Sequence, residues 1–205
     1  MKIITEVDNS INYRKSDLFD MPTVINVTDF NSRSFEIFRE KFDRAESNPD
    51  QPIIPILIDS PGGQIYTLMG MLSLIERSSK PVATVGLCKA MSCGAVLLSS
   101  GTPGYRFADS NCTIMVHDAS AGTIGKVEDM KVSVENSERL KKELYKILAV
   151  NCALDRKYFF DKLKERGNTN WYLTSKQAKK LGLIDKIGIP TMKVNVSVDM
   201  EFLGA

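Results

Sequence analysis

Three short apolar runs decide what this chain can fold into: IIPILID at 53–59, PVATVGLC at 81–88 and TIMVH at 113–117. Each is rich in β-branched residues and too short for a helix. The first leads into an amphipathic helical pattern at 64–77, with Ile65, Leu68, Met69, Met71, Leu72 and Ile75 on or near one side. The second leads into AVLLSS, a small apolar run that reads as a buried helix. An earlier strand-like PTVINV at 22–27 precedes a helix in which Phe35, Phe38 and Phe42 recur at helical spacing, capped from the polar stretch 28–34. This alternation is that of βαβ units on a parallel sheet, an α/β fold. The proline in IIPILID points to a bulge or an edge position for that strand.

In a βαβ unit the helix starts at the carboxyl edge of its strand, so the turn SPGG (60–63), Ser92 and His117 come to one rim of the sheet. Ser92 sits at a strand-to-helix turn, where free N–H groups and the positive end of the helix dipole can hold developing negative charge. Ala90-Met91-Ser92-Cys93-Gly94 is a loosened G-x-S-x-G elbow, with Ala in the first glycine slot. A serine there is equally what a plain N-cap looks like, and a histidine ending a strand is ordinary. Their shared rim is what links them. His117 is the chain's one histidine, so it is the sole imidazole available as a base for Ser92. Lys89 is the alternative base of a Ser/Lys dyad, or simply a solvated turn residue.

Gly62 and Gly63 let the backbone approach a ligand closely, as they would also serve a common Pro-Gly turn. The amides of Gly63 and Cys93 are a candidate two-donor oxyanion hole. Gln64 and Ile65 on one side, and the segment 118–125 beginning at Asp118 on the other, can flank an extended peptide as an added strand.

The charge balance is 27 basic against 25 acidic residues without a run of either sign, which argues against nucleic acid or a membrane surface as partner. No segment approaches the ~20 apolar residues of a membrane span, and the N-terminus lacks an apolar signal core. Cys88, Cys93, Cys112 and Cys152 form no C-x-x-C pair and read as reduced thiols, which points to the cytoplasm. No metal site or cofactor is expected. Residues 1–20 read as an N-terminal arm or loop and 21–205 as one domain. Within that domain a long helix at about 126–153 carries the stripe Val127, Met130, Val134, Leu140, Leu144, Ile147 and Leu148, too long for the core alone and suited in part to another subunit. Thr174 to Gln177 is a capping-box pattern, and the tail MKVNVSVDMEF alternates like a strand.

From about residue 22 to 185 the chain resembles the proteolytic subunit of the Clp proteases, a family of serine peptidases. The resemblance rests on IDSPGGQI, KAMSCGAVLLSSG, GYRFADSNCTIMVH and YLTSKQAKKLGLID, in that order and at the family's spacing. It implies a ClpP/crotonase-like spiral of ββα units with a protruding helical handle, Ser92 as nucleophile, His117 as general base, and Gly63 and Cys93 at the oxyanion-hole positions. It also implies a homo-oligomer of stacked heptameric rings enclosing a chamber, protein or peptide substrates, and an ATP-driven AAA+ unfoldase as partner.

The chain departs from the family at three places. Asn170 holds the slot of the triad aspartate, Cys93 stands where methionine is usual, and the arm does not match the family's N-terminal loop. Asn170 can orient an imidazole but cannot balance its charge. Asp118, Asp161 and Glu165 are rival carboxylates. A weak or inactive ring subunit supporting an active paralogue is the alternative reading, and a crotonase-type acyl-CoA enzyme a further one.

Overall fold

The computed structural model describes residues 2–7, 22–118 and 126–196. In chain order these form β1 (Lys2–Val7), β2 (Ile25–Val27), α1 (Ser32–Ser47), β3 (Ile54–Ser60), α2 (Ile65–Glu76), β4 (Val82–Met91) and α3 (Cys93–Ser99). Then follow β5 (Arg106–Ala108), β6 (Thr113–Val116), α4 (Val127–Asn151), α5 (Tyr158–Glu165), β7 (Trp171–Thr174), α6 (Ser175–Leu181), β8 (Lys186–Ile187) and β9 (Thr191–Val196). Residues 119–125, most of the expected peptide-flanking segment, lie outside the described residues.

The main sheet runs β2-β3-β4-β5-β8, all parallel. β4 is its axis. One side of β4 pairs with β3, while the other pairs first with β5, through Thr84–Gly86, and then with β6, through Lys89–Met91. A ten-residue strand thus serves two successive partners and carries the chain past the layer of β5 before it turns at Ser92. β7 joins β6 antiparallel, the one reversal in this sheet among the described residues.

Two expectations need correction. β3 is an interior strand, and its irregularity with β4 falls between Ile58 and Ser60, not at Pro55, which pairs in register with Ala83. Pro55 supplies no N–H, but its ring packs in a strand buried on both faces. The stripe of α4 is also not one surface. Leu140, Leu144 and Leu148 are buried, whereas Val127, Val132 and Val134 are more than half exposed. The helix therefore docks through its second half and leaves the first half uncovered.

α3 is buried at every residue, which is why its sequence is small and apolar all round. Leu97 and Leu98 are fully buried, each contributing about 1.5–3 kcal/mol of apolar transfer. α1 starts at Asn31 and α6 at Thr174, both with complete capping boxes, the second at the Thr174–Gln177 pattern. Arg106 ties the far ends together: Nη1 donates to the carbonyls of Asn151 at 2.7 Å and Gly182 at 2.8 Å, while Nε and Nη2 grip the Asp185 carboxylate at 3.0 and 2.6 Å. The alternating tail is β9 over Thr191–Val196, and its parallel partner is β1, within the stretch read as an arm. No helix among the described residues is long and apolar enough to cross a membrane.

Candidate active site

Ser92 joins β4 to α3 with φ 56° and ψ −119°, a backbone conformation that costs a non-glycine residue of order 1–3 kcal/mol. The strain is held by the elements on either side. The Ser92 N–H donates to the Met115 carbonyl at 2.8 Å, and the Ser92 carbonyl accepts from Ala95 and Val96 in the first turn of α3. Its side chain makes no capping bond to the helix, so the plain N-cap reading fails. Instead Oγ lies 2.8 Å from Nε2 of His117, which follows β6. The strained backbone turns the hydroxyl off the helix and toward the imidazole.

The imidazole is half-shielded. Burial pulls its pKa below the ordinary histidine value, and the neighbouring Asp118 charge opposes that pull without cancelling it. A neutral imidazole at physiological pH, with Nε2 facing a hydroxyl, is equipped to take a proton.

The two glycines before α2 lie against Ser92 and Phe30. Gly62 has φ +109° and Gly63 φ +150°, both in the region that favours glycine. A Cβ on Gly63 would meet the Phe30 carbonyl oxygen at 2.5 Å, so only glycine lets this strand end lie against Phe30. Gln64 N–H donates to that same oxygen at 2.8 Å, and the Cys93 thiol donates to the Gly63 carbonyl at 3.3 Å. Burial pushes that thiol's pKa up. The amides of Gly63 and Cys93 form no hydrogen bond to any other described residue, and the first N–H groups of a helix have no partner within it. Two free donors thus flank Ser92.

A cavity of about 240 Å³ opens beside Ser92 and His117. Ile65 lines it, while Gln64 precedes α2 at the exposed surface and Gly62 lies behind Ser92. Most of its lining was not named from sequence as a site: Val96, Met115, Leu144 and Leu148 give it an apolar floor, and Lys141 and Tyr145 stand at its wall. The legible signal was the stripe of α4, whose buried half points here.

The β6–β7 ladder ends with Val116 paired to Trp171, so His117 and Asn170 are the first residues beyond it on the two chains. The side chains do not bond, however: Asn170 Nδ2 donates to the Tyr172 hydroxyl at 3.4 Å. Asp161 and Glu165 lie on α5, Glu165 paired with Lys162 at 2.9 Å, and neither bonds to His117. Lys89 is occupied by Asp59 at 3.1 Å and makes no bond to Ser92.

Residues 15–191 match the family described as Clp protease. The chain is 34% identical over 134 residues to the ATP-dependent Clp protease proteolytic subunit of Bacteroides thetaiotaomicron, covering 65% of this chain and 59% of that one. It is 32% identical over 142 residues to the ATP-dependent Clp protease proteolytic subunit 1 of Salinibacter ruber, covering 69% and 59%. To subunit 2 of Corynebacterium efficiens it is 34% identical over 134 residues, covering 65% of each. The chain thus spans 59% of the length of the first two curated relatives. With a family match over most of its length, on a spiral sheet whose rim carries the serine, the histidine and the glycine turn, the chain belongs to the Clp protease family.

Proposed function

We propose that this chain is a serine endopeptidase that cleaves unfolded proteins or peptides by acyl-enzyme chemistry. The observation that carries the reading is the 2.8 Å contact between Ser92 Oγ and His117 Nε2 at a strained strand-to-helix turn. His117 takes the Ser92 proton as Oγ attacks the scissile carbonyl. The amides of Gly63 and Cys93 hold the resulting oxyanion, and the imidazolium then gives its proton to the leaving amine. Water, deprotonated by the same imidazole, hydrolyses the ester and returns the proton to Ser92. Asn170 takes the third place, supported by its position just beyond the Val116–Trp171 pair as His117 is, and orients the ring with its amide oxygen. The apolar cavity receives the side chain before the scissile bond, with Gly62, Gln64, Ile65 and Asp118 along the peptide.

The assembled state follows the family. Stacked heptameric rings form a closed chamber fed by an AAA+ unfoldase in the cytoplasm, and the uncovered half of α4, with Val127, Val132 and Val134, supports a contact between subunits.

The test is intact mass after exposure to a serine-reactive fluorophosphonate. One adduct in the native chain and none in Ser92→Ala supports the reading. No adduct in a folded sample favours the inactive ring subunit, for which Asn170, neutral and not bonded to His117, is the motivating feature. Turnover of CoA thioesters would revive the crotonase-type enzyme. Peptidase rates of Asn170→Asp test the third place, and no gain in that variant counts against it.

A further inference from the structure

His117 is gripped from the handle helix as well as by Ser92. The Tyr145 hydroxyl lies 3.2 Å from the His117 carbonyl oxygen and 3.3 Å from Asp118 Oδ1, and its one proton goes to either. Lys141, one turn earlier on α4, ion-pairs with Asp118 at 3.1 Å and with Glu138 at 2.7 Å, with only 12% of its side chain exposed. Burial draws the Lys141 pKa down, but its bonds to Glu138 and Asp118 raise it more, so the ammonium persists. Two side chains at i, i+4 spacing therefore clamp the residue next to the histidine onto the helix.

Among the described residues no carboxylate bonds to the imidazole itself. At Nε2 is the Ser92 hydroxyl; beside β7 the neutral Asn170 bonds to the Tyr172 phenol, and on α3 the Cys93 thiol is given to Gly63. From α4 come Lys141 and Tyr145, with Glu138 behind Lys141. Asp118, the next residue in the chain, is thus the carboxylate whose charge favours a ring that must become positive.

Resting on the peptidase reading, we propose that Asp118, clamped by Lys141 and Tyr145, is a positioning residue that supplies His117 with the counter-charge a triad carboxylate would hold and Asn170 does not. When the Ser92 proton moves to Nε2, the imidazolium forms beside the Asp118 carboxylate that Lys141 and Tyr145 hold in place. The direction of the Asp118 effect on His117 agrees: it favours the charged ring, against burial.

Because the chain has a single histidine, NMR titration of its imidazole reads this coupling in the full chain without any turnover. In Asp118→Asn the titration midpoint moves to lower pH, both from the lost carboxylate and from the Lys141 ammonium left facing the site. The acid limb of kcat/KM moves with it, and kcat falls by about 10- to 100-fold, as on losing a partner behind a catalytic group. Asp118→Glu keeps the charge and recovers part of both. Tyr145→Phe removes a donor but not the charge, and leaves the midpoint near that of the native chain.

A midpoint unmoved or raised in Asp118→Asn overturns the proposal. So does an equal downward move in Tyr145→Phe, which would trace the effect to a loosened segment. If Asp118→Asn does not fold, a midpoint in Asp118→Glu as in the native chain supports the proposal and a strongly lowered one overturns it. A native chain that takes no fluorophosphonate adduct, yet whose midpoint drops in Asp118→Asn, refutes the peptidase reading and leaves the electrostatic coupling supported.

Discussion

Gly62 and Ser92 are in direct contact at the rim of the sheet: a methyl in place of the Gly62 hydrogen would sit 2.7 Å from Ser92 Cβ, 3.0 Å from the Met91 carbonyl oxygen and 3.3 Å from Ser92 Oγ. Backbone and nucleophile occupy space that leaves no room for a side chain. The positive φ of Gly62 adds a second penalty to any substitution there.

Gly62→Ala is therefore expected to displace the Ser92 turn. Stability should fall by about 1–3 kcal/mol from the disfavoured backbone. Reactivity should fall further, by roughly 100-fold, because a misplacement of about 1 Å at the reacting atom costs on that order. Fluorophosphonate labelling rates beside thermal denaturation check this; labelling at the native rate in a stable variant would show that the contact does not position Ser92.

The depressed pKa of His117 fixes the sign of the pH dependence. Burial disfavours the charged ring, so the folded chain takes up this proton at lower pH than an ordinary histidine at 6.5. The neutral base persists further into acid, and the acid limb of kcat/KM is expected below that value. Stability contributed by this group is present above the unfolded pKa and lost as pH falls through the folded one. A kcat/KM profile on a short peptide checks it; an acid limb above 6.5 would contradict the burial argument.

The four cysteines should separate by reactivity. Cys88 is exposed, while Cys93, Cys112 and Cys152 are buried. Burial pushes the Cys112 and Cys152 thiols up to about 12, and that of Cys93 upward as well. Brief iodoacetamide treatment of the native chain is expected to add one carbamidomethyl group, on Cys88, by peptide mapping. Modification of Cys93 at a comparable rate would mean that the turn behind Ser92 opens readily.

Arg106 is expected to matter for stability rather than chemistry. Its side chain is 9% exposed and that of Asp185 20%, and together they join β5 to the ends of α4 and α6. Burial pushes the Asp185 carboxyl up, but the Arg106 hydrogen bonds outweigh it and hold the carboxyl below its usual range. Arg106→Ala strands that carboxylate and should cost about 3–5 kcal/mol in chemical denaturation. Arg106→Lys should recover only part, since an ammonium cannot make the forked pair. A loss under 1 kcal/mol in Arg106→Ala would show the pair to be incidental.

The sequence by itself determined β2, β3, β4 and β6 with the helices between them, because period and turn chemistry are local, while the short β5 and β8 carry no such signal. Alternating apolar runs, the box from Thr174 to Gln177 and the break at Gly62-Gly63 need no distant partner to be read. It also determined which residues meet at the rim: chain direction in βαβ units carries SPGG, Ser92 and His117 to one edge whatever the packing.

Only the tertiary structure decided the rest. Whether Ser92 caps its helix or faces an imidazole depends on a backbone strain held by Met115 and α3, and no propensity encodes that. The bond of Tyr145 to the histidine segment joins residues 28 apart in sequence, through a docking of α4 that its apolar stripe marked without showing where it ended. Pro55 pointed to a bulge or an edge by its missing N–H, yet burial on both faces of β3 outweighed one lost donor and kept the strand inside the sheet, its irregularity falling beyond Ile58 instead. Local preferences choose elements; the energies that choose between their possible neighbours come from burial and charge across the fold.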